Sequence, residues 1–192
     1  DAVGLCNGYQ YKFPYLPSEL SLKSPNGLYP GNLHKGVVWQ QNENLFYRGA
    51  QDQYYTFNMF DAQAWFARDV MTGKIDLPSP AERDADIQLW LERQAALSDH
   101  DAEADFQTDY LRELIEATDY PPFDLDAVCQ LFKDWMHHKH DDILGYRDML
   151  HRSVVTGTLA TQHHTRWINA MDDSMERYLR GTSQDLDNMT PD

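Results

Sequence analysis

From Thr56 almost to the C-terminus, apolar residues recur with a helical period, and this one pattern limits the chain to a mostly helical fold. Positions 56–72 predict a first helix, with Thr56 or Asn58 as N-cap and Gly73 just past its end. Phe57, Phe60, Ala64, Trp65, Ala67 and Met71 cover more than one face of it, the signature of a buried helix. The SPAE run at 79–82 predicts the next start. It is a capping box with proline in the first helical position, followed by a stripe of Ile87, Trp90 and Leu91. A third helix is expected over about 101–118, with Phe106, Tyr110, Leu111, Leu114 and Ile115 inward. A fourth follows from Asp124, carrying Leu125, Val128, Cys129, Phe132, Trp135 and Met136 at i, i+3, i+4, i+7 spacing. A fifth is expected from about Thr165, ending at Gly181 before a polar tail.

The first third of the chain reads differently. Residues 1–6 (DAVGLC) form a strand candidate closed by Asn7-Gly8, and it needs partner strands that the rest of the chain does not offer. The FPYLP run at 13–17 predicts an extended apolar loop, because each proline drives its predecessor out of the helical region. SPNG at 24–27 predicts a turn. Residues 36–40 and 45–48 predict two short strands joined by a polar loop at 41–44. The fold class is therefore α+β and mostly helical: a short β portion, then about five helices.

Composition narrows the function. The formal net charge is −15 and no basic stripe offsets it, so neither nucleic acid nor an anionic membrane surface is an expected partner. Cys6 and Cys129 form no CxxC pair and read as buried small hydrophobes in a reducing compartment. No apolar run approaches the ~20 residues of a membrane span, so a soluble cytoplasmic protein is expected. His137, His140 and Asp141 share a helix face at i, i+3 and i, i+4. The remaining ligands of a metal centre are not evident, and the group reads as a solvated helix end, with no metal expected. There is no nucleophile elbow, no dinucleotide fingerprint and no phosphate-binding loop.

What remains is the segment from Gln51 to Trp65. It runs from a polar aromatic loop into a helix whose first N–H groups lack intrahelical partners and carry partial positive charge. Gln53 and Thr56 are neutral hydrogen-bonding side chains at that mouth. An ordinary N-cap and a site for the electron-rich edge of a ligand are equally good readings of it.

Several motifs in order add a resemblance. DAVGLCNGY at 1–9, FPYL at 13–16, QDQ at 51–53, TFNMFDAQAW at 56–65, TDYP at 118–121, YRD at 146–148, TGT at 156–158 and AMDDS at 170–174 together resemble the C-terminal portion of bacterial flavin-containing monooxygenases of the trimethylamine monooxygenase type. The resemblance implies FAD and NADPH as cofactors. It implies oxygenation of tertiary amines such as trimethylamine, or of sulfides or indole, through a C4a-hydroperoxyflavin. It assigns Gln53 and Thr56 to FAD, Arg147 to NADP, and Tyr54 with Asp52 to the substrate pocket. Tyr54 stands where these enzymes typically carry tryptophan.

It further implies that residues 1–55 complete an FAD-binding α/β domain, that 56–180 are helices packed on the FAD and NADP domains, and that 181–192 are a flexible tail. The implied partners are a dinucleotide-binding N-terminal portion and, as a homodimer, a second copy. The chain alone is expected to be inactive. The competing expectation is a non-enzymatic helical interaction module derived from such an enzyme.

Overall fold

The computed structural model describes residues 13–22, 27–154, 157 and 159. The chain divides into two compact units, Asp1–Lys133 and Asp134–Asp192. The strand expected at 1–6, the SPNG turn apart from Gly27, the fifth helix and the polar tail lie outside the described residues.

The first unit begins with turns. Leu16 N–H donates to Phe13 O at 2.9 Å, so the proline-flanked run folds back as a turn instead of extending. Two short antiparallel strands follow, β1 (Leu33–His34) and β2 (Val38–Trp39), with Leu33 opposite Trp39 and His34 opposite Val38. Lys35 and Gly36 turn the chain between them, both at positive φ. Val38 also bridges Phe46, and Trp39 N–H donates to Leu45 O at 2.8 Å. The hairpin expected across 41–44 is thus present. The pairing with β1 was not readable, because two residues carry no periodicity.

Four helices complete the described architecture: α1 (Phe57–Met71), α2 (Pro80–Ala95), α3 (His100–Glu116) and α4 (Leu125–Asp141). The α2 start forms as its sequence dictates. Ser79 Oγ accepts from Glu82 N–H at 3.3 Å while the Glu82 carboxylate accepts from Ser79 N–H at 2.9 Å. Asp99 caps α3, accepting from Ala102 N–H at 2.9 Å, which starts the helix one residue earlier than its periodicity suggests. Asp124 caps α4 in the same way through Ala127 N–H at 2.9 Å.

On α1 the buried residues are Met59, Ala62, Gln63, Phe66 and Asp69, one face of the helix. Phe57 and Met71, expected inside, stand exposed at its two ends.

β strands and helices share one core. Trp90 of α2 lies at its centre, stacked on Tyr29 at 5.5 Å and met edge-on by Phe106 and Tyr110 of α3. Such aromatic pairs contribute roughly 0.5–1.5 kcal/mol beyond their buried area. A smaller cluster of Leu22, Leu33, Trp39 and Tyr47 lies on the other side of the hairpin.

In the second unit, Asp142 accepts from the N–H groups of Leu144 and Gly145 at 3.1 and 2.9 Å. This turn leads into a 3-10 helix, Tyr146–Asp148. Tyr146 is buried, with Trp135 edge-on at 5.2 Å.

Candidate functional site

The approach to α1 is built on a buried amide network. Gln51 is fully enclosed; its Nε2 donates to Leu28 O at 3.1 Å and its Oε1 accepts from Gln63 Nε2 at 3.1 Å. Gln63, one turn into the apolar face of α1, also donates to the Tyr110 hydroxyl at 2.9 Å and accepts from Gly49 N–H at 2.8 Å. Tyr110 in turn donates to Lys35 O at 2.7 Å. Burial pushes the Tyr110 phenol well above its ordinary pKa, so it stays a neutral donor. Gly49 adopts φ +65, and a β-carbon there would overlap the Phe60 ring. Gln51 is therefore part of the scaffold and turns no group outward.

The three residues after it form the exposed edge. Asp52 is exposed; its N–H donates to Gly27 O at 2.9 Å, and its carboxylate accepts from Gln53 N–H at 2.9 Å. Asp52 O accepts from Gln107 Nε2 at 2.6 Å, and Tyr54 N–H donates to Gln107 Oε1 at 2.7 Å. One buried amide side chain on α3 therefore grips the backbone on both sides of Gln53.

Gln53 itself is half-buried. Its Oε1 is shielded from solvent and accepts no hydrogen bond among the described residues. A buried carbonyl-type oxygen without a donor costs roughly 1–3 kcal/mol.

Tyr54 is held at three points. Its ring stacks on Phe132 at 4.5 Å, its hydroxyl donates to Glu103, and its N–H is the one bound by Gln107. Burial first, then the Glu103 bond, raise its phenol far above the ordinary value. Tyr55 follows, its hydroxyl sharing a hydrogen bond with Thr108.

Thr56 is the N-cap of α1 in position only. Its side chain caps nothing, and its φ is 41, a region that a β-branched residue enters at a cost of roughly 1–3 kcal/mol. No acidic residue occupies the first turn of α1, so no carboxylate neutralises the positive end of the helix dipole there. Phe57 beside it is 77% exposed.

The structure thus brings four of the expected residues, Asp52, Gln53, Tyr54 and Thr56, into one five-residue stretch anchored from α3. Arg147 belongs to the second unit, where its guanidinium lies 4.4 Å above the Tyr146 ring. Among the described residues, no group of three or more histidine, cysteine or acidic side chains is arranged to hold a metal. His138 and His151 approach each other at 5.9 Å between ring centres. No helix among the described residues is long and apolar enough to cross a membrane. Cys129 is a buried free thiol, and burial raises its pKa. A groove lined by Glu43, Val70, Met71 and Asp76 lies at the far end of α1 and contains none of the expected site residues.

Gln107 was missed by sequence reasoning, although a signal was present. It sits at i, i+4 and i+7 with Leu111 and Leu114, a polar residue on a helix face that is otherwise apolar. Such a residue is buried only with its hydrogen bonds satisfied.

No protein-family model matches the chain. It is 53% identical to the trimethylamine monooxygenase of Methylocella silvestris over 178 residues, which is 93% of this chain and 40% of that protein. Its fold matches the crystal structure of Tmm from Pelagibacter sp. strain HTCC7211 with a TM-score of 0.81 and 52% identity, over 89% of this chain and 39% of that one. A more distant flavin-containing monooxygenase from Arabidopsis thaliana is 28% identical over 127 residues, 63% of this chain and 27% of that protein. The chain spans about two-fifths of the length of the trimethylamine monooxygenases it matches.

Proposed function

We propose, for a chain that belongs by sequence and fold to the flavin-containing monooxygenases of the trimethylamine monooxygenase type, that it supplies one wall of an FAD site and the border of an amine pocket. It acts as the C-terminal portion of a cytoplasmic enzyme that N-oxygenates tertiary amines such as trimethylamine. Residues 1–55 complete the FAD domain, the helices of 56–180 cover it, and 181–192 form a tail. The rest of the enzyme and a second copy are its protein partners.

The observation that carries this reading is the shielded, unpartnered Oε1 of Gln53 beside the α1 N-terminus. The pyrimidine edge of a flavin presents one N–H flanked by two carbonyl oxygens. That edge offers the donor that Gln53 lacks and the acceptors that Thr56 and a helix N-terminus favour. The donor set therefore fits the group. With NADPH and O2, bound FAD supplies oxygen transfer: the amine nitrogen gains one oxygen atom, the other leaves as water, and NADPH is oxidised.

This chain's own residues do the remaining work. Gln53 would accept from the ring N–H and so orient the ring. The α1 N-terminus would favour negative charge on a group held there, by roughly 0.3–1 kcal/mol at an exposed terminus and more when water is excluded. Tyr54 offers a fixed aromatic face and Asp52 an exposed carboxylate to an ammonium-like substrate. Arg147 offers its guanidinium to a phosphate of NADPH.

In the complete polypeptide carrying this chain, Gln53→Ala should weaken FAD binding to the apoprotein about tenfold, the upper range for one neutral hydrogen bond. Flavin fluorescence titration measures this. Unchanged affinity would remove Gln53 from the site. Formation of trimethylamine N-oxide by the unmodified enzyme, compared with oxygenation of a sulfide or indole, tests the substrate.

A further inference from the structure

We propose that Gln107 is a positioning residue for the flavin contact, acting through the backbone of residues 52–54. The inference rests on the FAD reading of Gln53 and extends it to a side chain that touches no cofactor. Gln107 is 0% exposed and stands on α3, 55 residues from Asp52 in sequence. Its two amide atoms are both committed: Nε2 to Asp52 O at 2.6 Å and Oε1 to Tyr54 N–H at 2.7 Å. These are the carbonyl before Gln53 and the amide after it. With both held, the peptide units flanking Gln53 have little freedom to rotate, and its side chain leaves the backbone from a fixed point.

Among the described residues, no side-chain bond to its own Oε1 does this for Gln53. The local alternative is the Asp52 carboxylate on Gln53 N–H. That bond joins adjacent residues at an exposed carboxylate and competes with water, whereas Gln107 is sealed in the core.

The chemistry also selects the residue type. Only an amide presents a donor and an acceptor side by side, as the two backbone groups require. Glutamate keeps the acceptor for Tyr54 N–H but sets a carboxylate oxygen against Asp52 O. Methionine keeps length and volume and makes neither bond. The order expected for FAD affinity is glutamine, then glutamate, then methionine.

The test uses the complete polypeptide that carries this chain, freed of flavin and retitrated with FAD. Gln107→Met should lower FAD affinity about tenfold, since freeing the loop forfeits roughly one well-placed bond. Gln107→Glu should fall between it and the unmodified protein. Amide hydrogen exchange without flavin provides a readout independent of activity: the Tyr54 N–H should exchange faster in Gln107→Met. Ile115→Val, a conservative change elsewhere in the core stripe of α3, should leave FAD affinity unchanged, which separates positioning from loss of stability.

If Gln53→Ala weakens FAD while both Gln107 variants bind it normally, the positioning inference is overturned and the flavin site stands. If Gln53→Ala also binds FAD normally, the site reading fails and the inference fails with it.

Discussion

Removing the Tyr110 hydroxyl is the sharpest probe of how the α1 approach is held. In Tyr110→Phe the ring stays and one oxygen leaves, so little cavity forms. Two groups lose a partner: the buried Gln63 Nε2, which donates to that oxygen at 2.9 Å, and the part-buried Lys35 O, which accepts from it at 2.7 Å. A buried polar group left without its partner costs roughly 1–3 kcal/mol. Gln63 Nε2 keeps one bond, to Gln51 Oε1, so its loss lies at the low end and the sum is about 2–4 kcal/mol. Gln63→Leu strands Gly49 N–H and Gln51 Oε1 instead and should cost about 2–5 kcal/mol.

The double variant loses the Gln63–Tyr110 bond only once, so its cost should fall short of the sum by about 0.5–1.5 kcal/mol. Urea unfolding of each variant, followed by tryptophan fluorescence, gives the four free energies. Strict additivity, or a Tyr110→Phe cost below about 0.5 kcal/mol, would show that the network does not act as a unit.

Two further outcomes follow from the same scaffold. Gly49→Ala places a side chain at φ +65 against the Phe60 ring, with ring carbons at 3.0 and 3.2 Å besides the overlapping one, and should cost about 2–4 kcal/mol in urea unfolding; a neutral result would mean the 49–56 loop is free to shift. Burial alone would raise Asp86, but the His34 ring 3.0 Å away and the hydrogen bond from Lys35 outweigh it and hold the carboxylate below its ordinary 3.8. Its contribution is therefore present above that pH and lost as pH falls through the lowered folded-state value, so Asp86→Asn should flatten the acid limb of a stability profile; an unchanged limb would refute this. Burial lowers Lys35, yet its bonds to Asp86 and Glu113 raise it above 10.5 on balance, so the lysine contribution is full below that pH and fades as pH climbs beyond it.

Legibility followed the range of the interactions. The α2 start was readable because Ser79, Pro80 and Glu82 settle it among themselves. Gly73 marked the end of α1 for the same reason, at φ +71 just past the last turn. β1 was not readable. Its place is set by tertiary contacts, with His34 Nδ1 3.0 Å from Asp86 and Lys35 bonded to Asp86 and Glu113. Phe57 reads as a core residue by pattern but stands outside, because the face through Met59, Gln63 and Phe66 turns it away from the core. At the site, Gln53 and Thr56 were identifiable as a helix mouth from chemistry, while the ligand came from resemblance. The grip of Gln107 was invisible, since nothing local links it to Asp52.

The arrangement of α3 shows why that grip matters. Glu103, Gln107 and Tyr110 lie at i, i+4 and i+7, so they form one stripe rising by roughly 6 and then about 4.5 Å. Each level holds a different part of the approach to α1. Glu103 takes the Tyr54 hydroxyl, Gln107 the backbone around Gln53, and Tyr110 the Gln63 amide that in turn secures Gly49. Thr108, beside the stripe, takes the Tyr55 hydroxyl. Thr56 sits at the end of this held segment in a conformation that costs roughly 1–3 kcal/mol, and its own side chain does nothing to offset it. The bonds upstream hold this segment, and those to Tyr54, to the backbone around Gln53 and to Tyr55 come from α3. The geometry presented at the mouth of α1 thus depends on the helical part of the chain as well as on the segment that leads into it. Substitutions along the α3 stripe should therefore alter the FAD binding proposed for a loop they do not themselves complete.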